Sequence, residues 1–466
     1  MMTVLNRILL LPLFLITLFS CKNQDENAVH TTYIAGQIVN PTHDFVVFSR
    51  GSEILDTVKL DANNFFEYRT DKIKAGLHFF SHSEGQVFYI EPGDSLLIHI
   101  NTVDFDESLA FSGKGGEQNN LLIELYLQNE IENKNLSKWY NLSSKDFEIK
   151  IDSLKDIKVK EYEEFINNNE VAEDFKNIAL ANIEYDHYSK KEMYGAANRS
   201  MPDKFEKNYY DYRKNINFNL DQLKFYYPYY RFMNRYFENM VCKEYDKKKP
   251  ADPNSFAYNY RKIELIDSVV SSDSIKNRLL RYNARFYLLN ANNAEEEKRY
   301  FETFSTMNTD DKSLEEIKNI YDVSVKLIPG LPIPNVILVN SDNVLQDIQS
   351  VITAPTVVYF WAEQPMLQHR NQHIRANELK SKYPEYDFIG INVDKHFKKW
   401  RNIVQQSKYD PKYEFQIENF SEAEKKLLLR SINNVIIVDE NGIILEGKTN
   451  MYKANFEEQL LGFLNK

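Results

Sequence analysis

The chain has 466 residues, too many for one compact hydrophobic core, so two to four domains are expected. A formal net charge of −11 argues against nucleic acid as a partner, because phosphate recognition needs a basic face. The apolar fraction of 43% is that of an ordinary globular protein, and 30 Tyr with 30 Phe point to cores built around large rings.

The first stretch, MMTVLNRILLLPLFLITLFSC, carries one positive charge, Arg7, and an apolar run from Ile8 to Phe19 broken by Pro12. It is too short for a comfortable membrane span and reads as a signal peptide over residues 1–20. Its end, Leu18-Phe19-Ser20-Cys21, resembles the lipobox of bacterial lipoproteins. That resemblance implies cleavage before Cys21 and lipidation of this residue. A buried methylene contributes ~0.8 kcal/mol and a single acyl chain binds marginally, so two or three chains would hold the protein on a membrane. The polar KNQDENAVH that follows reads as a tether, making residues 21–30 a flexible leader. Asp25-Glu26 loosely resembles the export tags of surface lipoproteins, so the expected location is the cell envelope, at the outer membrane on its periplasmic or surface side. With Cys21 carrying lipid, Cys242 has no partner within the chain and no intramolecular disulfide can form. Cys242 adjoins an apolar helical stripe and reads as a buried thiol.

Residues 31–113 alternate short β-type runs with turn signals. TTYIAGQIV, DFVVFS, EILDTVKL, NFFEYRT, GLHFFSH, QVFYIE and SLLIHI are each bounded by Gly, Pro, Asn or Asp. Seven short strands with tight turns, such as Glu91-Pro92-Gly93-Asp94, predict an antiparallel β-sandwich.

From 117 to 325 the period becomes helical, predicting an all-α region. Tyr229, Phe232, Met233, Tyr236, Phe237, Met240 and Val241 form one stripe, and Ile275, Leu279, Tyr282, Phe286 and Leu289 form another. Such stripes are expected to be buried against neighbouring helices. The charged YDKKKPADP at 245–253 reads as an exposed loop. Glu163-Glu164 and Glu295-Glu296-Glu297 sit in charged helical contexts and read as solvated faces.

A new register begins at 326 and runs to 466. Prolines 329, 332 and 334 with Gly330 mark the boundary. Strands and helices then alternate: VITAPTVVYFWA, a helical NQHIRANELKSKYP, YDFIGINVD, HFKKWRNIVQQS, a helical SEAEKKLLLRS, the hairpin NVIIVDENGIILEG and a closing helix KANFEEQLLGFLN. This is α/β in character, and the whole chain reads as multidomain α+β. The Pro-Gly leader, TVVYFWA, FIGINVD and NVIIVDENGII are similar to the TlpA-like branch of the thioredoxin superfamily, over roughly the last third of the chain. The resemblance implies a thioredoxin-like α/β domain with a Trp-Cys-x-x-Cys segment after Phe-Trp-Ala. Here Gln364 stands for the Trp, and Pro365 and Gln368 stand for the two cysteines. The cis-proline of that family aligns with Asn433, where a cis bond would cost ~2.5–4 kcal/mol, so a trans bond is expected.

Disulfide exchange needs one thiolate to attack and a second thiol to resolve the mixed disulfide. Neither proline nor glutamine can do either, so no catalytic residue is assigned, and no cofactor or metal. Trp361, Met366, Leu367 and His369 remain as a groove that could hold an extended polypeptide, or as an inherited loop that merely caps the domain. His369 and His373 at i, i+4 read as a solvated helix face rather than a metal pair. No Gly-rich phosphate loop, G-x-S-x-G elbow or H-E-x-x-H motif is present. The favoured reading is a membrane-anchored envelope lipoprotein with a redox-inactive thioredoxin-like domain that binds an envelope protein or supports structure. The alternatives are a thiol-disulfide oxidoreductase acting through Cys242 or a partner's thiol, and an aromatic surface that binds glycan or peptide.

Overall fold

The computed structural model describes residues 31–51, 53–244, 251–363, 366–429 and 433–465. The signal peptide, the tether with Cys21, and Pro365 lie outside the described residues, as do the side chains of Met366 and Leu367. The described residues form two compact units: those up to Asn135 together with Asp156–Ile183, and Leu136–Lys155 together with those from Glu184 onward. Among the described residues no helix is long and apolar enough to cross a membrane.

The first unit opens with β1 (Thr32–Val39), β2 (Phe45–Arg50), β3 (Glu53–Lys59), β4 (Phe65–Thr70), β5 (Gly76–His82), β6 (Glu84–Ile90), β7 (Ser95–Asn101), a single turn α1 (Phe105–Ser108) and β8 (Ala110–Lys114). They form two four-stranded sheets, β4-β1-β7-β8 and β3-β2-β5-β6. Ile34, Phe66, Ile98 and Phe111 from one sheet meet Val46, Phe48, Phe80 and Phe88 from the other in one core. Alternation in the strands dictates this: Leu96, Ile98 and Ile100 turn inward while Ser95, Leu97 and His99 face out. The sandwich is not wholly antiparallel, because β1 pairs with β7 in parallel. The chain completes the second sheet before β7 returns beside the first strand, and that crossover fixes the direction. The eighth strand, β8, has one buried residue, Phe111, and so lacks an apolar alternation to read.

The helices are α2 (Gly116–Trp139), α3 (Ser144–Asn168), α4 (Glu173–Ala197), α5 (Tyr227–Lys243), α6 (Phe256–Val269), α7 (Asp273–Leu288), α8 (Ala294–Met307) and α9 (Asp311–Ser324). The boundary between units falls within α2, α3 and α4. Side chains of Ser255, Ser272, Asn293 and Asp310 cap α6 to α9 by accepting from first-turn backbone N–H groups. On α5 the expected stripe is inside, with Tyr229, Phe232, Met233, Phe237 and Val241 all buried. On α7 it is not. Ile275 and Leu279 are buried, but Tyr282 and Phe286 are 57% and 43% exposed. The buried face turns instead through Asn283 and Ala284 to Tyr287 and Leu288, and Asn283 satisfies its amide on the Leu279 carbonyl.

The rest of the second unit comprises β9 (Ile337–Val339), β10 (Leu345–Asp347), α10 (Ile348–Val351), β11 (Thr356–Trp361), α11 (Met366–Lys382), β12 (Asp387–Asn392), α12 (Phe397–Ser407), β13 (Glu414–Ile417), α13 (Phe420–Ala423), β14 (Val435–Val438), β15 (Ile444–Thr449) and α14 (Phe456–Leu464). They build a seven-stranded sheet, β10-β9-β13-β12-β11-β14-β15. β11, β12 and β13 run parallel and the remaining pairs are antiparallel. β11 is buried on both faces: Val358 and Phe360 enter one core, while Val357, Tyr359 and Trp361 enter another against Leu379 of α11 and Trp400 of α12. The helix expected over SEAEKKLLLRS is only the four-residue α13, followed by turns that bury Leu427, Leu428 and Leu429.

The edge strand β15 packs against the helices. Lys448 Nζ lies 2.7 Å from Glu297 Oε1, with both side chains fully buried. Ser324 donates to the same carboxylate. The reading of Glu297 as solvated is therefore corrected: it sits in the first turn of α8, and its cation comes from 151 residues away, beyond any local pattern. Burial pushes the Glu297 carboxyl up and the Lys448 ammonium down, and each group pulls the other part of the way back. A Cβ on Gly447 would strike the Leu327 carbonyl, so only glycine permits this approach.

Candidate functional site

The site lies where β11 ends and α11 begins. At its floor is Glu414, the first residue of β13, with 3% of its surface exposed. Trp361 donates from Nε1 to Glu414 Oε2 at 3.0 Å, and Tyr359 donates to Oε1 at 3.2 Å. His373 Nε2 lies 3.1 Å from the same Oε1. His373 Nδ1 lies 2.7 Å from the carbonyl oxygen of His369. A carbonyl can only accept, so Nδ1 carries a proton. A second proton must then lie between Nε2 and Oε1, since two lone pairs would otherwise face each other. The pair is either imidazolium with carboxylate or neutral imidazole with carboxylic acid, and in both forms the cluster keeps one proton inside the domain.

Burial chiefly drives the Glu414 carboxyl above its usual range, and bonds from His373, Trp361 and Tyr359 pull it back in part. The Tyr409 ring stacks on His373 with centroids 3.6 Å apart and planes within 4°. Its hydroxyl lies 3.1 Å from His369 Nδ1. Desolvation lowers the His369 pKa, and the nearby His373 lowers it further.

The end of β11 is held by a second polar chain. Asp394 accepts from the Glu363 backbone N–H at 2.7 Å and from Asn392 Nδ2 at 2.9 Å. Gln416 donates from Nε2 to Asn392 Oδ1 at 3.0 Å and to the Asp394 carbonyl at 2.8 Å. These bonds hold the backbone at Glu363, just past the end of β11.

Three parallel strands stand at the sheet centre with helices on both faces, and a family model described as thioredoxin-like matches residues 354–444. The C-terminal domain is thioredoxin-like. Among solved structures, a thioredoxin-like protein from Bacteroides caccae is 13% identical, with 59% of this chain and 93% of that one covered and a TM-score of 0.35. A candidate thiol-disulfide oxidoreductase from Bacteroides vulgatus is 15% identical over 29% of this chain and 97% of that one, with a TM-score of 0.26. A thiol:disulfide interchange protein from a Bacteroides species is 15% identical over 30% and 93%, with a TM-score of 0.24. No curated protein sequence matches the chain.

Within the thioredoxin-like domain, Gln368 and Asn433 come together: Gln368 Nε2 donates to Asn433 Oδ1 at 2.9 Å. Asn433 is exposed. Trp361 is fully buried and His369 is 4% exposed, which corrects their assignment to an accessible groove. The Trp361 indole instead follows the inward side of β11 down to Glu414. His373 is likewise 4% exposed, so the solvated-face reading of the histidine pair fails. The inner face of α11 runs His369, Gln372, His373, Ala376 and Leu379, apolar in its second half and polar in its first. That stripe was readable by spacing, but the polar half disguised it. Glu414 and Tyr409 gave no local signal, because their partners come from other strands and helices. Cys242 is 7% exposed on α5, against Tyr258, and burial pushes its thiol up.

Proposed function

We propose that this protein is an envelope lipoprotein, anchored through lipid on Cys21 at the outer membrane, whose thioredoxin-like domain is redox-silent and serves to bind a polypeptide or support the assembly. One observation carries the redox part of this reading. No cysteine lies within residues 354–444, and Cys242, the one cysteine among the described residues, is buried on another element with its thiolate disfavoured. A thiol raised by burial is a poor nucleophile, and without a neighbouring sulfur it cannot resolve a mixed disulfide. The polar contact between Gln368 and Asn433 is consistent with a surface that holds rather than reacts.

The test is reduction of insulin disulfides by dithiothreitol with the full chain added, as wild type and as Cys242→Ser. No acceleration over dithiothreitol alone is expected from either. Turnover that Cys242→Ser abolishes would reinstate the oxidoreductase alternative. For the anchor, Cys21→Ala is expected to release the protein from membranes or leave it unprocessed. A variant still acylated and sedimenting with membranes would refute the lipidation.

A further inference from the structure

Tyr282 and Phe286 sit one turn apart on α7, exposed, on the same helical face as Leu289. Leu289 lines a cleft of about 790 Å³ formed by α7, α9 and the turns after α13, all within the second unit. Ile320 and Leu428 share its apolar floor, and Lys312, Lys326 and Lys425 stand at its rim, all three exposed. Among the described residues nothing covers this stripe, and it leads into a concave apolar surface.

The charges around the opening decide what fits. Glu316 is held by Arg281 at 3.2 Å and Arg285 at 3.0 Å, and Asp322 by Lys318 at 2.6 Å. Glu424 has an interaction of its own. Among the described residues Lys312, Lys326 and Lys425 form no ion pair, and Glu315 and Glu424 are the carboxylates beside them. With Arg281 and Lys318 counted beside Arg285 and the three lysines, six cations face four carboxylates, a positive surplus on a chain of net charge −11. From Tyr282 to Leu289 the stripe extends about 10 Å along the helix. A small amphipathic anion could fill the cleft but would leave the aromatic rings bare.

We infer that the cleft and the α7 stripe form a docking site for an acidic amphipathic peptide segment of a partner protein. Its apolar side chains cover Tyr282 and Phe286 and enter the floor, and its carboxylates meet the three lysines. This rests on the reading of the chain as a binding module and names the chemistry of what is bound.

The test is fluorescence anisotropy with the full chain and two labelled synthetic peptides. One has Leu and Phe at helical i, i+3, i+4, i+7 spacing with Glu elsewhere, and the other has Lys in place of every Glu. Saturable binding of the Glu peptide is expected, weakening steeply with salt, with no binding of the Lys peptide. Phe286→Ala and, separately, Lys425→Glu should each weaken it by about tenfold with unchanged thermal melting. Three results would overturn the proposal. These are equal binding of both peptides or of neither, binding of dodecanoate in the cleft without peptide binding, and sedimentation showing self-association that Phe286→Ala abolishes. Insulin turnover is read separately, so a redox-active chain that binds the peptide and a redox-silent chain that does not are told apart.

Discussion

Gly390 on β12 is what allows a carboxylate to lie so deep beneath the α11 junction. A Cβ there would stand 2.6 and 2.7 Å from the two Glu414 oxygens and 2.8 Å from the Tyr359 hydroxyl. Gly390→Ala should therefore destabilise the protein by ~1–3 kcal/mol in urea titrations, as overpacking does. Glu414→Ala has a cost of its own, since it strands Tyr359, Trp361 and His373, but in that background Gly390→Ala should cost less than it does in wild type. Glu414 also makes stability depend on pH with a definite sign. Its folded carboxyl holds a proton above the ordinary value of 4.5, so its contribution is complete below that value and is lost as pH rises through the elevated one. Glu414→Gln should flatten this decline. At this scale the end of β11 at Trp361 was legible, since the TVVYFWA run is local. The sequence concealed Glu414, because a carboxylate opening a short strand looks like any turn residue until Tyr359, Trp361 and His373 converge on it.

β15 and the helices it meets make a sharper statement. Lys448→Met leaves the Glu297 carboxylate buried without its cation, which should cost ~3–5 kcal/mol. Lys448→Met combined with Glu297→Leu should recover most of that, and a double-mutant cycle in guanidinium measures the coupling. Elements with clean periodicity were legible: the seven N-terminal strands and the α5 stripe stand where alternation and 3.6-residue spacing put them. β13 was not, because Glu414 and Gln416 occupy half of its four buried positions and erase the apolar run. α7 was legible as a helix, but its buried face was misjudged. Large rings at 282 and 286 outweighed Asn283 and Ala284 in any reading by hydrophobicity, while the fold chose the smaller pair for close packing.

Across the whole molecule, buried histidines answer acid with the opposite sign to the raised carboxyls of Glu414 and Glu297. His78 in the first unit is lowered to about 4 and His187 in the second to about 3, both chiefly by burial. Unfolded imidazoles take up protons near 6.5 and these folded ones do not. At these two positions the unfolded state binds more protons below 6.5, so their contribution to stability falls as pH drops from there toward 4. The change in urea midpoint from pH 7 to pH 4.5 should therefore be more favourable for His187→Gln than for wild type. The three-part order of β-rich, helical and thioredoxin-like regions was legible from changes of period. How the helices pack was not, because that depends on pairs such as Lys448 and Glu297 that no window of sequence contains. The join at Gly447 and Lys448 has a practical consequence. Thioredoxin folds are commonly handled as portable pieces, yet cutting this one out at residue 326 would strand an amine with no counterion and bare the sheet margin that α8 and α9 conceal. Such a fragment should aggregate or melt early, so this fold has traded independence for a permanent seat on its neighbours.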